Sequence, residues 1–187
     1  MKTLKTRLPA VLIAASLCTP AFAKSSAPPL PPTIEVAGQP LVLTGQAVQR
    51  KLFFDIYSIG LYLKDPVATP QRAADSEQVK QVRLRILRDA RRDQVAGAFK
   101  QGFLAGNGGQ AQQLVGELDR LLAAIPDVKR GQVLTVTYVP GSGTTLESGE
   151  GLRMSVPGRA FGSALLKVWL GEDPGTRRLS RQLIGVG

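Results

Sequence analysis

The chain contains no histidine and a single cysteine, Cys18, so several kinds of catalytic centre cannot be built from it. Without an imidazole there is no Ser-His-Asp triad, no Cys-His pair and no histidine proton shuttle near neutral pH. One cysteine cannot close an intrachain disulfide or supply a cysteine-rich or cysteine-histidine zinc site. Aromatic residues make up only 5% of the chain, so the core must be mainly aliphatic. The sequence therefore excludes histidine-based hydrolysis and cysteine-based zinc chemistry.

What is present is typical of one globular domain. The chain has 187 residues, of which 43% are hydrophobic and 20% are charged. This balance differs from that of disordered or fibrous chains, and the length is that of a single domain. No metal or cofactor is predicted.

The first 23 residues are typical of a secretory signal peptide. Three cations, Lys2, Lys5 and Arg7, precede an apolar run over Ala10–Leu17, and a small-x-small sequence follows at Ala21–Ala23. This order predicts cleavage after Ala23 and export, most simply to a bacterial periplasm. Removing the segment leaves 21 cations against 14 acids, a net charge of +7.

Two alternatives explain the same segment less well. A membrane anchor is disfavoured because the apolar run is about half the length that a bilayer requires, and Pro9 and Pro20 bracket it. Lipidation at Cys18 is disfavoured by the bulky Leu17 before it. We therefore expect a periplasmic protein that has lost its only cysteine.

The basic residues do not indicate a nucleic-acid site. In residues 82–86 arginines alternate with apolar side chains, which predicts the outer face of a half-buried strand. No stacking aromatics are interleaved with them, as single-strand binding would need. Attraction to an anionic membrane surface or to acidic partners remains the alternative. The densest basic group is Arg83, Arg85, Arg88, Arg91 and Arg92.

The mature chain is predicted to begin with a tether and then to form one folding unit. The Pro/Ser-rich segment Lys24–Pro32 is expected to be extended and unpacked, and the domain to span residues 33–187. A short hairpin is predicted over Thr33–Leu43. The segment Arg50–Leu63 is predicted to be one strand, apolar on both faces and so covered on both sides.

The rest of the pattern alternates between helices and strands. A polar loop is expected near residues 66–76, and helices are predicted from the apolar stripes beginning at Val95 and Leu114. This order predicts an α+β domain with a largely antiparallel sheet and packed helices. Further strands are predicted over 79–87, 132–139, 144–147 and 152–156, and further helices over 159–170 and 174–184.

Three stretches together resemble the bacterial chalcone isomerase-like family. Lys51–Leu63 ends in Gly-Leu-Tyr-Leu, as a long strand of that family does. Gly131–Gly151 is similar to its strand pair, and Phe161–Gly171 with the segments that follow is similar to its C-terminal helices. The resemblance implies an open-faced β-sandwich, in which a curved antiparallel sheet and a layer of helices enclose a cleft. The family includes enzymes that close chalcones into flavanones and non-catalytic relatives that bind fatty acids.

The resemblance also suggests where a ligand would lie. Bacterial members have Gly-x-Gly-x-Arg before the long strand, with the arginine holding an anion. Here the matching segment is Gly45–Gln49, so Gln49 replaces the arginine and Arg50 follows one position late. A shift of one residue in a strand sends a side chain to the opposite face, so Arg50 could substitute only at a bulge.

Alignment on Gly-Leu-Tyr-Leu places Tyr57 at a threonine of the plant enzymes, so Tyr57 is the leading candidate for ligand contact. The plant tyrosine and asparagine fall near Arg91 and Ala98, so that pair is absent. Tyr62 and Lys167 are further candidates, Lys167 at a position that carries a hydroxyl in the plant enzymes. On one regular strand Gln49 and Tyr57 would lie roughly 26 Å apart, a distance that a long acyl chain could span.

Three functions are compatible with these residues. The first is non-catalytic binding of a fatty acid or a similar apolar ligand in the cleft. The second is an intramolecular lyase of the chalcone–flavanone isomerase type, which the missing arginine and the missing Tyr/Asn pair disfavour. The third is an envelope structural or partner-binding protein without a small ligand.

Overall fold

The computed structural model describes residues 29–186, which contain one antiparallel sheet of seven strands in which each strand pairs with the next along the chain. The strands are β1 Thr33–Val36, β2 Gln39–Lys51, β3 Phe54–Leu63, β4 Lys80–Ile86, β5 Val133–Val139, β6 Gly143–Ser148 and β7 Arg153–Val156. The helices are α1 Pro70–Asp75, α2 Arg92–Asn107, α3 Ala111–Ala123, α4 Arg159–Leu170 and α5 Arg177–Leu183. A 3₁₀ turn, Gly108–Gln110, joins α2 to α3. The predicted signal peptide lies outside the described residues.

The main core lies between the inner face of the sheet and the helices. In β4 the apolar residues Val82, Leu84 and Ile86 are buried in this core, and the intervening Arg83 and Arg85 are only half-buried. This alternation confirms the predicted strand with its arginines on the outer face. The α+β architecture of a curled antiparallel sheet covered by helices also confirms the predicted fold class. Within residues 29–186, no helix has the length and apolar character needed to cross a membrane.

The outer face of the sheet carries a second, smaller cluster. Tyr62 is fully buried there among Leu30, Leu41 and Val79. The Tyr62 hydroxyl donates a hydrogen bond to the Pro31 carbonyl oxygen at 2.9 Å. The prediction that the whole Pro/Ser-rich leader stays unpacked is therefore wrong at its end, because Leu30 packs on Tyr62 and the Pro31 carbonyl oxygen accepts the hydrogen bond of its hydroxyl. The prediction that both faces of this strand are covered is confirmed for residues 58–63, which are all buried, but not for the residues before them.

The region predicted as one strand, Arg50–Leu63, contains the end of β2, a two-residue turn and the whole of β3, so the prediction is confirmed for Phe54–Leu63 and wrong before it. Lys51 and Phe54 pair across the strands, and Leu52 and Phe53 form the turn between them. The register shifts between Gln49 and Arg50, which is the irregularity that the one-residue offset required. No glycine or asparagine marks this turn, so the sequence signal for it was absent.

The register of this hairpin overturns the predicted distance between two of the candidate residues. Gln49 lies directly opposite Tyr57 on the adjacent strand. The two are therefore close neighbours, and the expected separation along one strand is wrong.

Part of the predicted polar loop near residues 66–76 is the short helix α1. Thr69 caps its start by accepting a hydrogen bond from the Arg72 amide at 3.2 Å, and Pro70 occupies the first turn. Beneath the other end, the Lys80 ammonium is buried and donates to three carbonyl oxygens, those of Ala73 at 2.9 Å, Ala74 at 2.6 Å and Ser76 at 2.8 Å. Helix α1 therefore closes this end of the inner face around a fully engaged cation.

Helices α2 and α4 touch closely at one point. A Cβ atom at Gly102 would meet Val168 Cγ1 at 2.9 Å, and one at Gly106 would meet the Lys167 carbonyl oxygen at 2.7 Å. Asn107 adds a hydrogen bond from its side-chain amide to the Ala164 carbonyl oxygen at 2.9 Å. The C-terminal half of α2 is thus held against α4. Helix α4 has the predicted bounds, residues 159–170.

Candidate functional site

A cavity of about 280 Å³ lies between the sheet and the N-terminal half of α2, beside the place where α2 meets α4. Strands β3, β4 and β5 form its floor, and α2 and α4 form its sides. The apolar residues of its lining are Ile56, Leu84, Ile86, Ala90, Val95, Ala98, Phe99, Val128, Leu134, Val168 and Trp169. The polar residues of its lining are Lys51, Tyr57, Arg88, Asp89 and Gln94.

Three aromatic side chains form one wall of this cavity. The Trp169 indole donates a hydrogen bond from Nε1 to the Tyr57 hydroxyl oxygen at 3.2 Å. Phe99 meets Trp169 edge to face, with ring centroids 5.4 Å apart and planes at 89°. Because Trp169 fixes the tyrosine oxygen and Phe99 packs on the indole, the wall is held by contacts from three elements.

Tyr57 is a neutral hydrogen-bond donor at this wall. Burial raises the pKa of Tyr57 to about 12, with the hydrogen bond from Trp169 acting in the opposite direction. The hydroxyl oxygen accepts from the indole, and among residues 29–186 no acceptor receives the hydroxyl hydrogen. A phenol can donate and accept at once, so this hydrogen is available to a ligand atom.

The mouth of the cavity carries two cations. Lys51 lies at the end of β2 and forms no ion pair within residues 29–186. The Arg88 guanidinium lies over the Phe54 ring at 4.2 Å, a cation–π geometry that holds it at the rim.

The acid at the mouth, Asp89, is already engaged. Its carboxylate accepts from the Arg130 amide at 2.8 Å and lies 3.4 Å from the Lys129 ammonium. The backbone hydrogen bond first, and then Lys129, lower the pKa of Asp89. The mouth therefore offers two cations that no carboxylate neutralises.

Two of the residues predicted from the sequence, Gln49 and Arg50, line a separate shallow depression against α5. The Arg50 guanidinium forms an exposed ion pair with Asp55 at 2.6 Å, and the Gln49 amide donates to the Arg50 carbonyl oxygen at 3.2 Å. Although Gln49 pairs with Tyr57 in the sheet, neither Gln49 nor Arg50 contributes to the lining of the cavity beside Tyr57.

The other two predicted residues also lie elsewhere. Tyr62 is sealed in the outer cluster, because inner and outer side chains alternate along β3. Lys167 lies on α4 with its ammonium 3.4 Å from Asp75, and it does not contribute to the lining. Tyr57 is therefore the one predicted site residue that the structure places in the cavity.

Sequence reasoning missed Arg88, Lys51 and Trp169 as parts of this site. Arg88 was grouped with the strand arginines, although it comes two residues after the end of β4, where the alternation stops. Lys51 was not predicted as a site residue because the hairpin turn beside it has no sequence signal. Trp169 is the only tryptophan of the chain, and its place on an apolar helix stripe indicated core packing alone.

No group of three or more acidic, cysteine or histidine side chains within residues 29–186 is arranged to hold a metal ion. The cavity's own chemistry is that of an apolar pocket with the neutral donors Tyr57 and Gln94 and a cationic rim.

Comparison with known proteins defines the class. A family model described as chalcone isomerase-like matches residues 24–185, so this chain belongs to that family, which confirms the family predicted from the sequence. A fatty-acid binding protein of Arabidopsis thaliana has a similar structure, with a TM-score of 0.62 and 15% sequence identity over 83% of this chain and 90% of that chain. At this identity the likeness shows the fold, which is the one predicted. No curated protein sequence matches the chain.

Proposed function

We propose that this protein is a non-catalytic carrier or sensor of an amphiphile with an apolar tail and an anionic head, such as a fatty acid. The observation that carries the proposal is a cavity with an aliphatic and aromatic lining and two unneutralised cations at its mouth. Its volume is just below the roughly 300–1,000 Å³ usual for small-molecule pockets. The structurally similar plant protein binds fatty acids, which supports the same ligand class here.

The lining suggests how such a ligand would lie. The tail would contact Leu84 and Leu134 on the floor and Phe99 on α2, and the head would reach Lys51 and Arg88 at the rim. The Tyr57 hydroxyl, with its free hydrogen, would donate to a ligand oxygen. The proposal therefore gives ligand contact to Tyr57 and not to Gln49, Arg50, Tyr62 or Lys167, which lie outside the cavity.

Binding can be measured through Trp169, because it is the sole tryptophan and forms part of the cavity wall. Monomeric saturated fatty acids of increasing chain length would be titrated while its emission is recorded. Each methylene that enters the cavity should raise the affinity about fourfold, until the cavity is full and the gain stops. A matching series of alkyl alcohols should bind more weakly, because they lack the charge that the rim cations attract.

A blocked cavity provides the variant and its control. Ala98→Phe places a ring at the cavity and should abolish the response, whereas Ala105→Phe makes the same change at a position of the same helix that does not line the cavity and should leave it intact. Equal binding by both variants, or no response of Trp169 in the unaltered protein, would refute the proposal. A chalcone-cyclisation rate above the spontaneous one, lost in Tyr57→Phe, would instead establish lyase activity.

We also propose that the protein acts after export, as the N-terminal sequence suggests. The test is the N-terminus of the protein recovered from the periplasmic fraction of a bacterial host. Cleavage after Ala23 is expected. An intact Met1 on protein retained in the cytoplasm would contradict it.

A further inference from the structure

The turn between β2 and β3 projects a strongly apolar tip into solvent. Leu52 is 83% exposed, Phe53 is 95% exposed and Phe54 is 52% exposed, which makes them the most exposed large hydrophobic side chains of residues 29–186. They are consecutive, so they form one patch and are not scattered surface residues. A contiguous exposed apolar patch on a soluble domain indicates an interaction surface.

The backbone of this tip is unfavourable for the residues it carries. Leu52 has a φ of 56°, a left-handed conformation that costs a residue with a branched side chain about 1 kcal/mol or more. Two-residue hairpin turns favour Asn-Gly or Asp-Gly, which would relieve this strain and expose no large apolar side chain. Turn stability therefore does not account for Leu52 and Phe53 at these positions.

The surroundings of the tip are cationic. Three cations, Arg50, Lys51 and Arg88, flank it. Asp55 pairs with Arg50 and Asp89 pairs with Lys129, so Lys51 and Arg88 have no carboxylate partner within residues 29–186. Arg88 also lies over the face of the Phe54 ring, 4.2 Å from its centroid. An apolar tip with cations at its base is complementary to an anionic bilayer. The apolar side chains of the tip would contact the acyl chains, and the cations would contact the anionic head groups.

We infer that the Leu52–Phe54 tip inserts into an anionic lipid bilayer and holds the protein there peripherally. Lys51 and Arg88 belong both to the base of the tip and to the mouth of the cavity, so the docked protein presents the mouth to the lipid surface. The inference does not depend on the proposed function, because it concerns the tip and not the contents of the cavity.

The test is sedimentation of the protein with vesicles of phosphatidylcholine alone and of phosphatidylcholine mixed with phosphatidylglycerol. We expect binding to the mixed vesicles at low salt and at least about tenfold lower partitioning for Leu52→Ser/Phe53→Ser. Lys51→Gln should lower partitioning about fivefold, since one cation at the surface is removed. Val186→Ser, which removes an exposed apolar side chain near the C-terminus, is the matched control and should bind normally.

Three outcomes would overturn the inference: no binding to mixed vesicles, equal binding of the double variant, or binding that pure phosphatidylcholine supports as well. A tip that instead joins two copies of the chain would show as a dimer in analytical ultracentrifugation that the double variant dissociates, without vesicle binding. The fatty-acid titration of the double variant separates the two proposals, since its cavity lining is unchanged. Both substituted side chains are exposed, and an unchanged Tm confirms that the variant is folded.

Discussion

The inner face of β3 and β4 is covered by a helix at one end and borders a cavity at the other. At one end Leu63 pairs with Lys80, and α1 covers them, with the Lys80 ammonium engaged by three carbonyl oxygens. At the other end Tyr57 pairs with Ile86, and the helices leave a cavity of about 280 Å³ above them. The same two strands thus carry a closed end and an open end about six residues apart.

The two ends show how a fold of this kind retains a pocket. At the closed end a polar group has every partner it needs within the chain, so its burial stabilises the packing around it. At the open end the Tyr57 hydroxyl accepts one hydrogen bond and its own hydrogen has no acceptor within residues 29–186. A group left half-satisfied beside an apolar hollow is suited to a ligand rather than to stability.

The strongest test of the closed end is Lys80→Ala. The substitution removes a buried side chain and leaves three carbonyl oxygens without their donor, so the free energy of unfolding should fall by about 3 kcal/mol. Urea denaturation measures this. Lys100→Ala, which removes an exposed lysine paired with Asp119, should change stability by about 0.5 kcal/mol or less, and similar losses in both variants would contradict the contrast.

Alkaline pH should affect the two ends in opposite directions. The raised pKa of Tyr57 gives a stabilisation that is complete below pH 10.0 and is lost as the pH rises to about 12, amounting to about 2–3 kcal/mol. The difference in unfolding free energy between wild type and Tyr57→Phe, measured across this window, should shift by that amount in favour of the variant as the pH rises. If the two unfolding free energies instead changed in parallel with pH, the Tyr57 hydroxyl would be less buried than the structure shows.

Burial lowers the pKa of Lys80 from 10.5 to about 8, against the opposing effect of Asp75 and Glu77. Between these values the folded protein holds fewer protons than the unfolded chain, so this group makes the protein more stable as the pH rises. In Lys80→Met the free energy of unfolding should not show this rise with pH.

The two ends also differ in the room they leave for a larger side chain. Ala74 is buried in α1 at the closed end, and Ala98 borders the cavity at the open end. Ala74→Phe should lower the free energy of unfolding by about 2 kcal/mol through overpacking, whereas Ala98→Phe should leave it nearly unchanged. Thermal unfolding of both variants measures this, and equal losses would mean that the cavity is not open.

The smallest expected effect concerns the two tyrosines of β3. Tyr57→Phe removes the acceptor of the Trp169 indole, and Tyr62→Phe removes the hydrogen bond to Pro31, so each should cost about 1 kcal/mol. The emission of Trp169 distinguishes them, because only the first substitution changes its partner. A spectral shift in both variants would contradict the separation of the inner and outer faces.

Strong periodic patterns made most of the fold predictable. Helix α4 has the predicted bounds because its apolar stripe is bracketed by Gly158 and Gly171, and β4 followed from its alternating arginines. The missed elements had weaker signals. The β2–β3 turn has no glycine or asparagine, and in α1 the Thr69-Pro70 start was present but the helix is only six residues long.

The site was less predictable than the fold because tertiary packing decides which residues share a cavity. Tyr57 could be identified through its position in a family pattern, but Arg88 and Trp169 come from other elements and meet it only in the folded chain. Tyr62, five residues further along β3, looked equivalent in the sequence and lies on the opposite face.

The packing of Leu30 has a practical consequence for anyone who shortens the chain. Gly60 has no side chain where the Leu30 methyl group lies, so Leu30 packs into this notch in the sheet beside Leu43. A truncated protein that began at Thr33 would uncover the Tyr62 ring on the outer face of the sheet and expose an apolar surface that favours self-association. Affinity tags and fusion partners should therefore be joined before Pro29.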